Sequence, residues 1–300
     1  MNTNETIKPT RVIRPFSDSP IEIHLFGQNR GSTDWGITNL MRPSEKVYAL
    51  IDGVSPVRRL YAPQPSFNAR VCAYTELVVC IQDKLGFSGR NTGFSSTRGG
   101  KIFRGVNADG CNVPVGTGFW LSSADCFTIV AYGYRNSGLI CAHAGRDSLV
   151  DGNRLLTEKS SRPHESVVDA IMERMVEMDE LPEDISVYLT CGIRPMHFKH
   201  PLSDSKDGHE NALLTAWFYS LNPSCVPGNP AEGHLDLAEI IRQQFALHGV
   251  RRHQIADDGI DTYTDKDANR DHVWWSHERA KYEAPGDLLK RNGVLVIHRG

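Results

Sequence analysis

The sequence predicts an α+β protein in which a central mixed sheet is covered by outer helices. Short apolar runs such as Ile21–Phe26 and Ile185–Thr190 have the length and the residue types of strands. The stretch Leu235–Leu247 places apolar residues three and four positions apart, as in an amphipathic helix. Strands and helices follow one another without a strict βαβ alternation, and this favours the α+β class.

The remaining elements follow from the same patterns. Residues 1–20 are polar and contain three prolines, so we interpret them as a loose lead-in, and residues 21–300 as one domain. Glycine after an apolar helical pattern ends one predicted helix at 85, and a serine N-cap begins another at 161. Strands are predicted at 21–26, 47–51, 101–106, 185–190, 252–256 and 292–299, and helices at 66–85, 161–178, 209–220 and 235–247.

The stretch Phe119–Leu149 carries the strongest chemical signal. Two apolar runs, Cys126–Tyr132 and Gly138–Ala142, flank a polar turn that contains Gly, Asn and Ser. In a hairpin, the start of the first strand lies beside the end of the second. Cys126 and His143 should therefore meet at one edge of the sheet. A thiolate beside an imidazole can bind a metal ion or form a nucleophile–base pair.

Composition narrows the possible functions. The 300 residues carry a net charge of −3, which argues against a general nucleic-acid-binding surface. No apolar run is long enough to span a membrane, and the N-terminal residues lack the apolar core of a signal peptide. We therefore expect a cytoplasmic protein that acts on a small molecule. The seven scattered cysteines include no Cys-x-x-Cys pair, which argues against a disulfide framework or a zinc ribbon.

The chemical stretch also carries a family resemblance. The pattern Ala-Asp-Cys ending at Cys126, followed by a short hairpin and by His-Ala-Gly beginning at His143, resembles the signature of the YfiH-type multicopper polyphenol oxidase (laccase-domain) family. Many of its members are regarded as purine nucleoside phosphorylases. The separation of 17 positions between the Cys and the His agrees with the family's spacing. The resemblance implies a layered α/β sandwich of the YfiH type.

The resemblance further implies a zinc ion, or copper, held by Cys126, His143 and another histidine. That histidine has no counterpart, because the sequence contains no His between His24 and His143. Asp109 and Cys111 are the candidates to replace it. Two ligands bind zinc poorly, so either a third ligand comes from elsewhere or the metal has been lost.

Site residues follow from the same resemblance. Arg30 could instead be a solvated loop residue. The side chain of Arg146 could instead point away from the site. Each of Cys126 and His143, taken alone, could also be an ordinary buried residue. The resemblance assigns Cys126, His143 and Asp125 to catalysis, and Arg30, Arg146 and Arg279 to binding the anionic part of the substrate.

Three functions are compatible with these residues. The first is a purine nucleoside phosphorylase-like activity, with phosphate as co-substrate, on adenosine- or inosine-type nucleosides, together with their deamination. The second is a metal-free Cys–His hydrolase or deamidase, as in a bacterial toxin deamidase of similar fold. The third is a non-catalytic descendant that keeps the pocket for binding. Copper laccase chemistry would need more histidine ligands than the sequence places at copper spacings.

Overall fold

Two mixed β-sheets and a layer of helices form the molecule. The computed structural model describes residues 8–28, 34–35, 57, 59–77, 94–95, 101–104, 106–160 and 162–299. Its strands are β1 (Arg11–Ile13), β2 (Ile21–Phe26), β3 (Arg59–Tyr61), β4 (Val71–Cys72), β5 (Phe94–Ser95), β6 (Lys101–Phe103), β7 (Gly110–Asn112), β8 (Thr117–Ser123), β9 (Phe127–Gly133), β10 (Leu139–Ala144), β11 (Ile185–Thr190), β12 (Ile255–Asp257) and β13 (Asn292–His298). Its helices are α1 (Gly152–Thr157), α2 (Val167–Glu177), α3 (Gly208–Leu221), α4 (Leu237–Leu247) and α5 (His277–Tyr282).

The strands divide into one sheet of seven and one of six. The first has the order β1-β2-β13-β8-β3-β6-β5 and the second the order β12-β11-β9-β10-β7-β4. Each sheet contains parallel and antiparallel pairs, since β3 runs parallel to β8 and β11 runs parallel to β12. The predicted α+β class with outer helices is confirmed. The single central sheet of the prediction is replaced by two sheets.

Alternation along the strands explains how the layers pack. In β9, Val130 and Tyr132 face the other sheet and form a core with Phe119 and Val294. Ile129 and its neighbours on the opposite face pack against α2 and α4. Burying one such side chain contributes roughly 1.5–3 kcal/mol. The six-stranded sheet is therefore the middle layer, and its two faces are both covered.

Local capping corrects the predicted start of α2. Ser166 accepts a hydrogen bond from the Asp169 N–H, and the Asp169 carboxylate accepts one from the Ser166 N–H. This capping box begins the helix at Val167 and makes Ser166 the N-cap, five residues after the predicted N-cap at position 161. Position 161 itself lies outside the described residues. None of the helices among the described residues combines the length and hydrophobicity needed to cross a bilayer.

Two other predicted segments differ from the structure. Part of the expected lead-in pairs as β1 with β2 along the edge of the seven-stranded sheet. In the described part of the segment predicted as a helix from 66 to 85, residues 71–72 form β4 and residues 74–77 are helical. Residues 78–85, and the strand predicted at 47–51, lie outside the described residues.

The predicted hairpin is confirmed as β9 and β10. Its register pairs Phe127 with Ala144 and Thr128 with His143. The turn between the strands is held by the buried carboxylate of Glu180. That carboxylate accepts hydrogen bonds from the backbone N–H groups of Arg135, Asn136 and Gly138 at 2.9–3.0 Å.

Candidate functional site

Cys126 and His143 meet at the open end of the hairpin. Cys126 comes immediately before β9, and Gly145 comes immediately after β10. A Cβ atom added to Gly145 would lie 2.8 Å from the Cys126 Sγ and 3.2 Å from the His143 Cε1. The thiol and the imidazole therefore converge over this glycine. His143 is 4% exposed, whereas Cys126 is partly exposed and can be reached from solvent.

Substituting Gly145→Ala should disturb this pair. The added methyl group would lie 2.8 Å from the Cys126 sulfur, a distance shorter than Cβ atoms keep from other heavy atoms in folded proteins. The thiol must therefore shift from its position beside the imidazole. We expect at least a tenfold slower alkylation of Cys126 at neutral pH, with a loss of stability on the order of 1–3 kcal/mol. Mass spectrometry of the labelled peptide measures the first quantity. Gly286→Ala is the control, since a Cβ there meets open space.

His143 has two polar partners at its Nδ1 atom. The Asp109 Oδ1 lies 3.6 Å from Nδ1, and the Ser148 Oγ lies 3.3 Å from it. The backbone N–H of His143 also donates to the Asp109 carbonyl at 2.7 Å. These partners fix the ring and leave Nε2 for a proton donor or acceptor. The sequence suggested Asp109 as a replacement for the missing metal-binding histidine. In the structure, its carboxylate lies beside the imidazole of His143.

Asp109 also holds an unusual turn against the site. Its carboxylate oxygens accept hydrogen bonds from the Phe67 N–H at 3.0 Å and the Ala69 N–H at 2.8 Å. Phe67 and Ala69 have φ values of 54° and 50°, in the left-handed region that costs about 1–3 kcal/mol at a non-glycine residue. The turn brings the Phe67 ring edge-on to His143, with centroids 5.2 Å apart. An aromatic side chain thus covers the imidazole.

The charges around His143 change its protonation. Burial lowers the pKa of His143, but the charge of a Cys126 thiolate and the Asp109 carboxylate outweigh burial and raise this pKa to about 10. The surroundings of the ring therefore favour the protonated form of the His143 imidazole.

Asp125 holds the segments around the thiol. It has a φ of 81° and is 3% exposed. Its carboxylate accepts hydrogen bonds from the Thr262 hydroxyl and from the Glu278 N–H, both at 2.7 Å. Its carbonyl accepts one from the Ile193 N–H. These contacts give Asp125 a positioning role, and its direct participation in catalysis stays a prediction.

A family model covers most of this architecture. The model described as multi-copper polyphenol oxidoreductase laccase matches residues 105–288, which include Asp109, Cys126 and His143. The chain belongs to the laccase family. No functionally curated protein matches the chain.

Several solved structures share the laccase-family fold. A hypothetical protein YfiH from Bacillus licheniformis is 14% identical, with 93% of each chain covered and a TM-score of 0.57. A DUF152 protein from Neisseria meningitidis is 15% identical, with 96% of this chain and 98% of that chain covered and a TM-score of 0.60. YlmD from Geobacillus stearothermophilus is 17% identical, with 93% and 92% covered and a TM-score of 0.60. At these identities, the likeness shows the fold alone.

The name of the laccase family implies a bound metal ion. The positions of the possible ligand side chains decide whether the described residues can hold one. Among the described residues, no three His, Cys, Asp or Glu side chains are grouped to hold a metal ion. Asp109 already accepts two backbone N–H groups. Cys111 is buried in the core between the sheets, where burial raises the pKa of its thiol. Neither residue completes a three-ligand site with Cys126 and His143.

The arginines predicted to bind an anion have different surroundings in this laccase-family chain. Arg279 is 6% exposed, and its guanidinium donates to the carbonyls of Tyr263 and Trp274 at 2.7 Å. It therefore stabilises the segment before α5. Arg146 directly follows Gly145, its side chain is 20% exposed, and its guanidinium contacts Asp147 and His200. Arg30 lies outside the described residues.

Proposed function

We propose that the chain is an enzyme in which Cys126 is a nucleophile, His143 its general base and Asp109 the residue that orients the imidazole. The enzyme in this proposal is a hydrolase or deamidase that uses these three side chains without a metal ion. Its substrate is a small molecule in which a carbon–nitrogen bond is hydrolysed. One observation carries this proposal: the Asp109 carboxylate contacts Nδ1 of a buried imidazole that lies beside a partly exposed thiol. Nucleophile, base and orienting group are the three parts of such sites.

The reaction follows from the roles of these side chains. His143 takes the Cys126 proton, and the thiolate attacks the carbonyl carbon of the substrate. Collapse of the tetrahedral intermediate breaks the carbon–nitrogen bond, and the leaving amine takes the proton from the imidazolium. A water molecule, deprotonated by His143, then attacks the thioester, so that the acid is released and the thiol is restored. The net change is an amide and water giving an acid and an amine.

The neighbouring residues support both halves of this cycle. Asp109 stabilises the imidazolium that forms when the thiol loses its proton, and Ser148 helps to hold the same nitrogen. Phe67 covers the ring and lowers the local dielectric, which strengthens these charge interactions. The backbone strain of the left-handed residues in the turn at 67–69 is therefore maintained beside the proposed active site.

A purine nucleoside phosphorylase-like activity is the second candidate. It is favoured by the position of Arg146, a cation next to Gly145, because arginine binds phosphate through paired N–H donors. In this reaction, phosphate attacks the anomeric carbon of an adenosine- or inosine-type nucleoside and free base leaves.

Iodoacetamide tests the nucleophile directly. We expect Cys126 to be alkylated at pH 7 at the same rate with and without EDTA, and faster than cysteines 72, 111, 141, 191 and 225, which are the buried ones among the described residues. The Cys126→Ser variant is the control for the labelled peptide. If Cys126 reacts only after chelation, a metal–thiolate site replaces the proposed nucleophile.

Nucleoside assays separate the two candidates. Adenosine and inosine are incubated with and without phosphate, and free base and ammonia are measured for the wild type and Cys126→Ala. Free base that appears only with phosphate supports the phosphorylase. The Cys-dependent deamidase is supported instead by ammonia that is released without phosphate from a primary amide that carries a carboxylate, such as glutamine, and that is lost in Cys126→Ala.

A further inference from the structure

Arg146, His200 and Lys281 form a group of basic residue types, and two of them lie on segments that contact the surroundings of the thiol. Arg146 follows Gly145, and a Cβ atom added to Gly145 would lie 2.8 Å from the Cys126 sulfur. Lys281 lies in α5, whose first turn is tied to Asp125 through the Glu278 N–H. The segments on which Arg146 and Lys281 lie therefore both contact the residues that position the thiol. The Arg146 guanidinium contacts a third residue, His200, at 3.1 Å, and Lys281, whose ammonium is paired with Glu278, adds positive charge to the surroundings of His200.

The hydrogen bonding of His200 defines which nitrogen carries its proton. An Arg146 N–H donates to the His200 Nδ1 at 3.1 Å, so Nδ1 is the acceptor and Nε2 carries the hydrogen. The Nε2 atom is buried, and within the described part of the chain it has no hydrogen-bond partner. A buried donor without an acceptor costs about 1–3 kcal/mol, which an incoming oxygen atom would recover.

The charges that act on His200 are positive. Burial first, and then the charges of Arg146 and Lys281, lower the pKa of His200 to about 3. The ring is therefore neutral at pH 7. The carboxylates of Asp147 and Glu210 lie on the Arg146 guanidinium, at 2.6 and 3.7 Å. Burial is the larger cause of the fall in the pKa of His200, and the two cations add to it although carboxylates lie on both of their side chains.

We propose that Arg146, His200 and Lys281 form a subsite for a carboxylate group of the substrate whose reacting carbon is attacked by Cys126. The His200 Nε2–H donates to one carboxylate oxygen, and the charges of Arg146 and Lys281 attract the group as a whole. This inference rests on the proposed function and names its substrate class: an amide-bearing or related nitrogen compound that also carries a carboxylate.

Two alkylating reagents that differ only in charge test the subsite. Iodoacetate carries a carboxylate and iodoacetamide does not. The ratio of their rate constants at Cys126 is measured at pH 7 by mass spectrometry of the labelled peptide, with glutathione as the free-thiol reference. We expect the ratio at Cys126 to exceed that of glutathione by about tenfold, which corresponds to about 1.4 kcal/mol. The excess should fall as KCl is raised, because salt screens the attraction.

Substitutions then locate the charge preference. Lys281→Met and His200→Phe should each lower the ratio at least threefold, whereas Lys159→Met, which removes an exposed lysine, should leave it at the wild-type value. The ratio is taken within each variant, so a general change in thiol reactivity cancels. His143 also attracts anions, and its contribution is common to all these variants.

The outcomes separate the subsite from the nucleophile. A wild-type ratio equal to that of glutathione overturns the subsite while the reactive thiol stands. An elevated ratio that neither Lys281→Met nor His200→Phe lowers also overturns it. A Cys126 that reacts with neither reagent overturns the proposed nucleophile, and this inference with it.

Discussion

Replacing His143 with Gln should slow the alkylation of Cys126 by iodoacetamide at pH 7 by about ten- to thirtyfold. A thiol without a neighbouring imidazole titrates near ~8.5, so only a few per cent of it is thiolate at pH 7. In the proposed function, the imidazole over Gly145, held at Nδ1 by Asp109, takes the proton of this thiol. Hydrolytic turnover should fall further, by roughly 10²–10⁴-fold, because the leaving amine also loses its proton donor.

Labelling rates across pH measure this effect. The wild type should stay reactive well below pH 8, and His143→Gln should become reactive only as an ordinary thiol ionises. His253→Gln is the matched control, since His253 is exposed and remote from the hairpin in sequence. Equal labelling profiles for the wild type and His143→Gln would show that the imidazole does not activate the thiol.

The Glu180→Ala variant should be the most destabilised of those considered, by roughly 3–5 kcal/mol. Glu180 is 1% exposed, and its carboxylate is the acceptor for three backbone N–H groups of the turn between β9 and β10. Removing it leaves three donors unpaired and a cavity beside Gly133, whose added Cβ would lie 2.1 Å from the Glu180 carboxyl carbon. The loss should lower the melting temperature by about 5–10 °C.

Thermal and urea unfolding of Glu180→Ala measure the loss. Glu183→Ala is the matched control, because Glu183 is exposed three residues away and its change should be within about 0.5 kcal/mol. An unchanged melting temperature in Glu180→Ala would mean that the turn pairs its N–H groups with water instead. Because the hairpin carries the thiol at its far end, Cys126 labelling after partial unfolding provides a second readout.

Contacts that are local in sequence were predictable. The hairpin, its turn and the meeting of Cys126 with His143 follow from alternation and turn residues within one continuous stretch, because antiparallel strands joined by a short turn have few possible registers. The family membership and the α+β class also follow from that stretch and from the order of elements. The helices α3 and α4 were also predicted to within two residues at each end, because the spacing of their apolar residues is local in sequence.

Contacts between distant segments were not predictable. Asp125 and Thr262 are 137 positions apart, and β13 lies between β2 and β8 although it is the last strand. Alternation shows that a strand has two faces but not which sheet it joins, and this explains why one sheet was predicted where two exist. The predicted helix start at 66 was wrong because Asp109 binds the N–H groups of Phe67 and Ala69, a tertiary contact that overrides the apolar spacing.

The tether at Asp125 implies a way in which the geometry around Cys126 can change during evolution. The Asp125 carboxylate joins the residue before Cys126 to Thr262 and to Glu278, far along the chain. Drift in those late segments can therefore shift the sulfur by tenths of an ångström while every reacting group stays the same. Divergence among relatives could accordingly retune rate or selectivity from a region that no motif search would inspect.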